Sequence, residues 1–168
     1  VRFLDEIRIM RENADVEGII PILDFSKEEY WYTMPLAIPV MNYIRREKLK
    51  VQAIVKGMAD LAGTLEQLHA RGIAHRDIKP SNLYLYENRY CFGDFGLVEF
   101  PDNPNDFTRS DRGLGAVFTI APEMKRDPKH ADGKKADVFS MAKTLWMLLS
   151  GDEKGFDGVY NFLDRSHS

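Results

Sequence analysis

A long helical segment followed at once by a polar loop constrains the fold of this chain most. Between Lys50 and Arg71, apolar side chains recur every three or four residues, which is the pattern of a helix with one buried face. The positions on that face are Val51, Ile54, Val55, Met58, Ala62, Leu65 and Leu68. Gly72 follows, and glycine is the residue that most readily ends a helix in the left-handed conformation. The sequence therefore predicts a helix that stops at a sharp turn before residue 73.

Short β-hairpins are expected on both sides of this helix. The apolar runs 19–25 and 30–34 are separated by a polar turn, and the runs 83–86 and 90–92 flank the turn residues 87–89. Between the first hairpin and the long helix, Pro35 and Pro39 predict a stiff connector, and residues 40–46 predict a short helix.

Helical patterns also stand near both ends of the chain. Phe3, Ile7 and Met10 share one face of a first helix. A last helix is predicted from about Ala136 to Ser150, stopped by Gly151, with a buried face formed by Val138, Met141, Leu145 and Leu148. Residues 94–123 are too polar and too rich in glycine and proline for a regular element, so we expect a long loop there, which is either functional or disordered.

Length, charge and cysteine content limit the number of domains and the kinds of molecule that this chain can bind. With 168 residues, of which 44% are hydrophobic, the chain is one domain or part of one. The net charge of −3 gives no field that would attract nucleic acid or an anionic membrane, and no apolar run reaches the roughly 18 residues of a membrane span. Cys91 is the only cysteine, so an internal disulfide is impossible and we expect a buried thiol.

A set of polar residues in the loop after the long helix carries the chemistry. The segment "AHRDIKPSN" places His75, Arg76, Asp77, Lys79 and Asn82 within eight positions. The triplet "DFG" follows at 94–96, "APE" at 121–123, and an aspartate stands at position 137 near the start of the last helix. A single triplet recurs by chance, but this ordered set on these elements does not.

The motifs resemble those of eukaryotic-type (Hanks-type) serine/threonine protein kinases. The resemblance covers essentially the whole chain and implies an α+β, protein-kinase-like fold that is truncated at both ends. By this resemblance, residues 1–34 are a remnant of the N-lobe with one helix and two strands, 35–39 are the hinge, and 40–168 form most of a mainly helical C-lobe.

The resemblance also implies roles for the motif residues in phosphoryl transfer. Asp77 would accept the proton of the attacking hydroxyl, and Lys79 would bring a positive charge to the γ-phosphate. Asn82 and Asp94 would supply oxygen ligands to Mg²⁺. Lysine two residues after the catalytic aspartate is typical of members that act on serine or threonine, so the expected substrate is a protein with such hydroxyls.

Further positions are assigned by the same resemblance. Glu6 would face the lysine that grips ATP, Met34 would guard the back of the pocket, and Pro35 and Ala37 would offer a carbonyl and an N–H to adenine. Tyr84 departs from the pattern, since it stands where members commonly have a small aliphatic residue at the floor of the adenine pocket, and its aromatic face would stack on the base instead. The residues expected to bind ATP are therefore Glu6, Met34, Pro35, Ala37, Lys79, Tyr84 and Asp94.

Packing and regulatory roles complete the set that the resemblance implies. His75 and Phe95 would stack with Met10 in an apolar column, and Asp137 would hold the loop backbone from below. Arg76 would bind a phosphate on the following segment, where Thr108 and Ser110 are the candidates.

Two alternative functions stay open for a chain with these motifs. A glycine-rich loop and a strand lysine are expected before Glu6 and are not in this sequence, so the chain alone should bind ATP poorly and be inactive. A pseudokinase scaffold is one alternative, against which the intact Asp77, Lys79, Asn82 and Asp94 argue. A small-molecule phosphotransferase is the other. We expect a cytoplasmic catalytic domain, and a membrane anchor elsewhere in a longer protein stays open.

Overall fold

The computed structural model describes residues 2–96, 118–127 and 129–156. The helices are α1 (Arg2–Glu12), α2 (Val40–Glu47), α3 (Val51–Ala70), α4 (Pro122–Arg126) and α5 (Gly133–Ser150), with a 3₁₀ turn at Pro80–Asn82. The strands are β1 (Asp24–Ser26), β2 (Trp31–Thr33), β3 (Ile38–Pro39), β4 (Leu83–Tyr86) and β5 (Arg89–Phe92). This α+β arrangement confirms the expected kinase-like fold.

The first part of the chain forms α1 packed against a two-stranded hairpin. Ile7 and Met10 are buried, as the helical pattern predicts. The strands β1 and β2 pair antiparallel, but β1 is shorter than the apolar run 19–25. Pro21 has no N–H to donate, and the residues before it bond to a different strand: Phe92 donates to the carbonyl of Gly18, and Ile20 donates to that of Phe92. The run is therefore divided between two sheets.

Helix α3 ends as the sequence predicts. The residue Gly72 has a φ of 81°. Its N–H bonds to the carbonyl of His69 at 3.1 Å, and the N–H of Ile73 bonds to that of Leu68 at 2.9 Å, which is the Schellman pattern. The turn aims the chain from the end of α3 directly into the polar loop.

The buried face of α3 was predicted only in part. Ile54, Met58, Leu65 and Leu68 are buried, but Leu61, which the pattern missed, is also fully buried. Val51, Val55 and Ala62 are exposed instead. They lie on the neighbouring stripe of the helix, and a stripe at 54, 58, 61, 65 and 68 satisfies the helical period better.

The hairpin of β4 and β5 forms around the predicted turn. Glu87 and Asn88 have φ values of 48° and 62°, and positive values at both central residues define a type I′ turn, which suits the twist of the two strands. The strand β3 pairs with the other side of β4.

Cys91 is buried in β5, and burial raises the pKa of its thiol to about 11, so the thiol stays protonated. The expectation of a buried thiol is confirmed.

Helix α5 begins three residues before the predicted start. Asp132 is the N-cap, and its carboxylate accepts the N–H groups of Lys134 and Lys135. Gly151 ends the helix with a φ of 71°, as predicted. The predicted apolar face was wrong in part, because Val138 is 62% exposed while Asp137, Ser140 and Thr144 are buried.

The buried polar face of α5 bonds to neighbouring loops. The hydroxyl of Ser140 donates to the carbonyl of Thr119 at 2.8 Å, and that of Thr144 lies 3.5 Å from the carbonyl of Ile78. Helix α4 begins at Pro122, near the end of the stretch 94–123 that was expected to be irregular, and runs past it to Arg126. Proline is favoured at the first position of helices. Among the described residues no helix is both long and apolar enough to cross a bilayer.

A pair of glycine substitutions tests the end of α3. We expect Gly72→Ala to destabilise the protein by about 1–2 kcal/mol, because a Cβ is strained in the left-handed conformation. Gly63→Ala, within α3, should stabilise it by about 0.5–1 kcal/mol, since a Cβ there meets no atom within 4 Å and alanine favours the helix. Urea unfolding curves measure both, and equal effects of the two changes would contradict this account.

Candidate active site

The loop of residues 73–82, here called the motif loop, is held by a buried carboxylate. Asp137 on α5 has a fully buried side chain, and its two oxygens accept the backbone N–H groups of His75 and Arg76, each at 2.7 Å. His69, in the last turn of α3, donates from Nε2 to the same carboxylate at 2.9 Å. The resemblance assigned this role to Asp137, and the contacts confirm it.

The bond to Arg76 holds an unusual backbone conformation. Arg76 has a φ of 65°, which is left-handed and costs about 1–3 kcal/mol for a residue with a side chain unless its surroundings fix it. The carboxylate of Asp137 supplies that restraint. The guanidinium of Arg76 reaches α4, where Nη2 lies 3.3 Å from the sulfur of Met124.

Three predicted catalytic residues meet around one carboxylate. Lys79 Nζ lies 3.0 and 2.8 Å from the two oxygens of Asp77. Asn82 Nδ2 donates to Asp77 Oδ2 at 3.0 Å and to its backbone carbonyl at 2.9 Å. The side chain of Asp77 is 10% exposed and that of Lys79 is 14% exposed, so the pair keeps a narrow opening to solvent.

Asp94 is brought to this group by the hairpin of β4 and β5. The register pairs Leu83 with Phe92, and the N–H of Gly93 donates to the carbonyl of Asn82 at 2.9 Å. Asp94 follows immediately, in the left-handed conformation with a φ of 56°, and its Oδ1 accepts the N–H of Gly96 at 3.3 Å. The two residues predicted to hold magnesium thus stand at one end of one hairpin.

His75 packs as a neutral ring beneath the motif loop. Its ring centroid lies 4.8 Å from that of Phe95, as the predicted column requires, although the two planes are tilted by 42° rather than stacked. The ring of Phe92, which was not predicted, lies 5.1 Å away at 51°. Met10 belongs to the same buried cluster as the two phenylalanines. Burial lowers the pKa of His75 below its usual value, and Nδ1 accepts the N–H of Asp77 at 3.4 Å, which only an unprotonated nitrogen can do.

Glu6 points from α1 toward the turn that carries Asp94. Its Oε1 accepts the backbone N–H of Phe95 at 3.1 Å and the phenol of Tyr32 on β2, also at 3.1 Å. The carboxylate that was expected to face the ATP-gripping lysine therefore lies beside the turn 94–96.

The predicted hinge residues lie between the two sheets. Met34, Pro35 and Ala37 fall in the connector from β2 to β3, and Met34 is exposed. In the sheet, Pro39 on β3 is paired with Tyr84 on β4. This register places Tyr84, the predicted floor of the nucleotide pocket, beside the end of the connector.

Tyr84 depends on a glycine across the hairpin. A Cβ added to Gly93 would lie 2.8 Å from Cε2 of the Tyr84 ring and 3.0 Å from Cδ2. Both distances are shorter than an ordinary van der Waals contact. An aromatic ring at position 84 fits here because residue 93 has no side chain.

The oxygen atoms of Asn82 and Asp94 at the end of the hairpin suit a hard cation that takes its remaining ligands from phosphate and water. Asn82 uses its Nδ2 toward Asp77, which leaves the carbonyl Oδ1 on the other side, 3.4 Å from the hydroxyl of Ser81. With Asp94, this offers one amide oxygen and one carboxylate. Magnesium is usually bound by one or two carboxylates together with phosphates and water. Within the described ranges, no group of three or more His, Cys, Asp or Glu side chains is arranged to hold a metal ion, so the magnesium hypothesis rests on these two residues.

Two site residues were missed by the sequence patterns. His69 and Tyr32 each bind a carboxylate of the site, yet each falls within an ordinary helix or strand pattern. A histidine in the last turn of α3, close before the motif loop, is the signal that could have found His69. The phosphate acceptors proposed for Arg76, Thr108 and Ser110, lie outside the described residues.

Comparison with known proteins places this site in a family. The family model "Protein kinase domain" matches residues 1–158. The chain therefore belongs to the protein kinase family.

Individual relatives agree with the family match. The chain is 37% identical over 107 residues to CBL-interacting protein kinase 4 of Oryza sativa subsp. japonica, covering 63% of this chain and 23% of that protein. It is 36% identical over 113 residues to CBL-interacting serine/threonine-protein kinase 20 of Arabidopsis thaliana, covering 67% and 26%. It is 35% identical over 133 residues to dual specificity protein kinase zak2 of Dictyostelium discoideum, covering 71% and 20%. The matched region spans about a quarter of the length of these relatives.

A substitution on α5 tests the anchor of the motif loop. In Asp137→Asn, one oxygen acceptor becomes an NH₂ group that faces a buried donor, so we expect a loss of about 3 kcal/mol in the free energy of unfolding. Asp132→Asn on the same helix is the control and should leave stability nearly unchanged, because asparagine caps helices as well as aspartate. Denaturant unfolding compares the two, and a stable Asp137→Asn protein would contradict the proposed anchor.

Proposed function

We propose that this domain transfers the γ-phosphoryl group of ATP to serine or threonine hydroxyls of protein substrates. The observation that carries the proposal is the convergence of Lys79 and Asn82 on the carboxylate of Asp77. Membership of the protein kinase family supports phosphoryl transfer to protein in general. ATP as donor, the acceptor type and the role of each residue are the proposed part.

In the proposed reaction, Asp77 is the general base. The acceptor hydroxyl oxygen attacks the γ-phosphorus, the bond from the γ-phosphorus to the bridging oxygen breaks, and ADP leaves. Asp77 accepts the hydroxyl proton. The ammonium of Lys79, which lies 2.8 Å from Asp77, is close enough to offset negative charge that builds on the transferring phosphate oxygens.

Asn82 and Asp94 are the proposed ligands of Mg²⁺. When bound, the ion supplies positive charge to the phosphate oxygens. The bond from Asn82 Nδ2 to Asp77 fixes the amide so that its carbonyl oxygen faces away from the base. Asp94 has a left-handed backbone where the hairpin ends, and its Oδ1 accepts the N–H of Gly96 in the same turn.

The ATP pocket is proposed between the connector and β4. Met34, Pro35 and Ala37 would contact adenine from the connector, and Tyr84 would contact it from β4 beside Pro39. Glu6 would approach from α1, where it already binds the turn that holds Asp94.

The acceptor residue is inferred from the position of Lys79 and from the names of two relatives. Lys79, two residues after the base, favours serine and threonine acceptors, and one relative carries serine/threonine-protein kinase in its name. Another is named a dual specificity kinase, so peptides with a single serine, threonine or tyrosine are the direct test of the acceptor. We propose the cytoplasm as the location because it supplies both ATP and protein hydroxyls.

The general base is tested by a substitution in the protein that carries this domain. With Mg²⁺ and labelled ATP, Asp77→Asn should lower the rate of phosphate transfer to a serine peptide by about a hundredfold or more, since the amide cannot accept the proton. Asp60→Asn is the matched control, because Asp60 lies on α3 in a surface ion pair with Lys56. Full activity of Asp77→Asn would refute the assignment of the base.

The nucleotide pocket is tested through the contact of Tyr84 with Gly93. In the full-length protein that carries this domain, Gly93→Ala should displace the Tyr84 ring and weaken binding of a fluorescent ATP analogue by about tenfold. Removing the ring as well, in Gly93→Ala with Tyr84→Leu, should restore much of the affinity. If the double variant binds no better than Gly93→Ala alone, the ring is not the cause of the loss.

A further inference from the structure

The phenol of Tyr32 points from β2 into the proposed active site. Tyr32 is the central residue of β2, paired with Phe25, and its ring stacks on Phe3 of α1 at a centroid distance of 5.8 Å and an interplanar angle of 26°. Its side chain is half-buried. Because the ring is fixed on one side by Phe3, the hydroxyl is aimed at Glu6, one turn further along α1.

The hydroxyl and a backbone N–H share one oxygen of Glu6. Tyr32 donates to Oε1 at 3.1 Å, and the N–H of Phe95 donates to the same Oε1 at 3.1 Å. These contacts join residues that are 26 and 89 positions apart in the chain. A single carboxylate oxygen thus ties β2, α1 and the turn 94–96 together.

The turn at 94–96 needs such a restraint. Asp94 has a φ of 56°, a conformation that a residue with a side chain keeps only when its surroundings fix it. Phe95 is buried, and its N–H is the backbone group next to Asp94 that Glu6 holds. The restraint on Phe95 therefore also limits where the carboxylate of Asp94 can point.

The protonation state of the Tyr32 phenol favours a persistent hydrogen bond to Glu6. Burial raises the pKa of the Tyr32 phenol, and the negative charge of Glu6 raises it further, with smaller contributions from Asp94 and Tyr84. The phenol therefore stays protonated through the physiological range and remains a donor. A hydrogen bond from a neutral donor to a carboxylate is stronger than one between two neutral groups.

We propose that Tyr32 is a positioning residue that holds Glu6 against the backbone of Phe95 and thereby fixes Asp94 for metal binding. The role of Asp94 in this statement rests on the proposed function. Tyr32 itself touches no reacting atom and acts through Glu6.

Hydrogen exchange measures this restraint without any need for activity. Tyr32→Phe removes only the hydroxyl and keeps the ring on Phe3. In the full-length protein, amide exchange in peptides that cover residues 93–96 should become about tenfold faster, while exchange in α3 stays the same. Tyr30→Phe is the matched control, since Tyr30 also packs on Phe3, at 5.7 Å, but is 67% exposed.

Repeating the Tyr32→Phe change in a Glu6→Ala protein distinguishes the effect of the hydrogen bond from that of ring packing. In Glu6→Ala, exchange at 93–96 should already be fast, and adding Tyr32→Phe should change it less than twofold. An equal rise in both backgrounds would mean that Tyr32 acts by packing alone, and no rise in either would mean that the bond restrains nothing. Either result overturns the proposal.

Kinetics then connects the restraint to the reaction. For phosphate transfer, Tyr32→Phe should lower kcat about tenfold with the KM of the acceptor peptide unchanged, and Tyr30→Phe should leave both unchanged. If kcat is unaffected while exchange at 93–96 rises, Tyr32 restrains the turn but does not position Asp94 for the reaction, and the proposal fails. If the wild-type protein transfers no phosphate, the proposed function fails, and the exchange measurement still decides whether Tyr32 holds the turn.

Discussion

The carboxylate of Asp137 determines the shape of the motif loop. It lies in the interior on α5 and accepts two backbone N–H groups of the loop, so it fixes the left-handed conformation of Arg76 and the direction in which Asp77 leaves the backbone. A buried carboxylate that has lost its hydration must be satisfied by such donors. The histidine at the end of α3 adds a third bond to it. Helix, loop and proposed base are thus parts of one hydrogen-bonded unit.

A second set of contacts joins this unit to the first part of the chain. The hairpin of β4 and β5 places Asp94 next to Asn82, and Glu6 reaches the same turn from α1. In a site that handles phosphate charge, positions must be fixed before the reaction, because each group is effective only at hydrogen-bond distance. In the proposed role of Tyr32, a residue of β2 also helps to hold the turn 94–96 in place, through its bond to Glu6.

Helix α5 shows where sequence patterns fail and why. Its apolar residues at Val138 and Met141 predict a buried face, yet the most buried positions include Asp137, Ser140 and Thr144. Periodicity counts apolar side chains and assumes that polar ones face water. Here the polar residues are buried because loops lie against the helix, and each polar group finds a backbone partner. Val138 is exposed for the complementary reason, since it lies on the opposite side of the helix.

The sequence by itself determined the local elements and the list of chemical groups. Gly72 and Gly151 end their helices, the turn at 87–88 closes its hairpin, and the motifs name Asp77, Lys79, Asn82 and Asp94, because these features depend on residues near one another in the chain. Only the tertiary structure decided that Glu6 bonds to Phe95 and Tyr32, that Asp137 anchors the motif loop together with His69, and that Tyr84 requires Gly93. Those contacts join distant segments whose distance and orientation follow from how the helices and sheets pack, which no local pattern encodes.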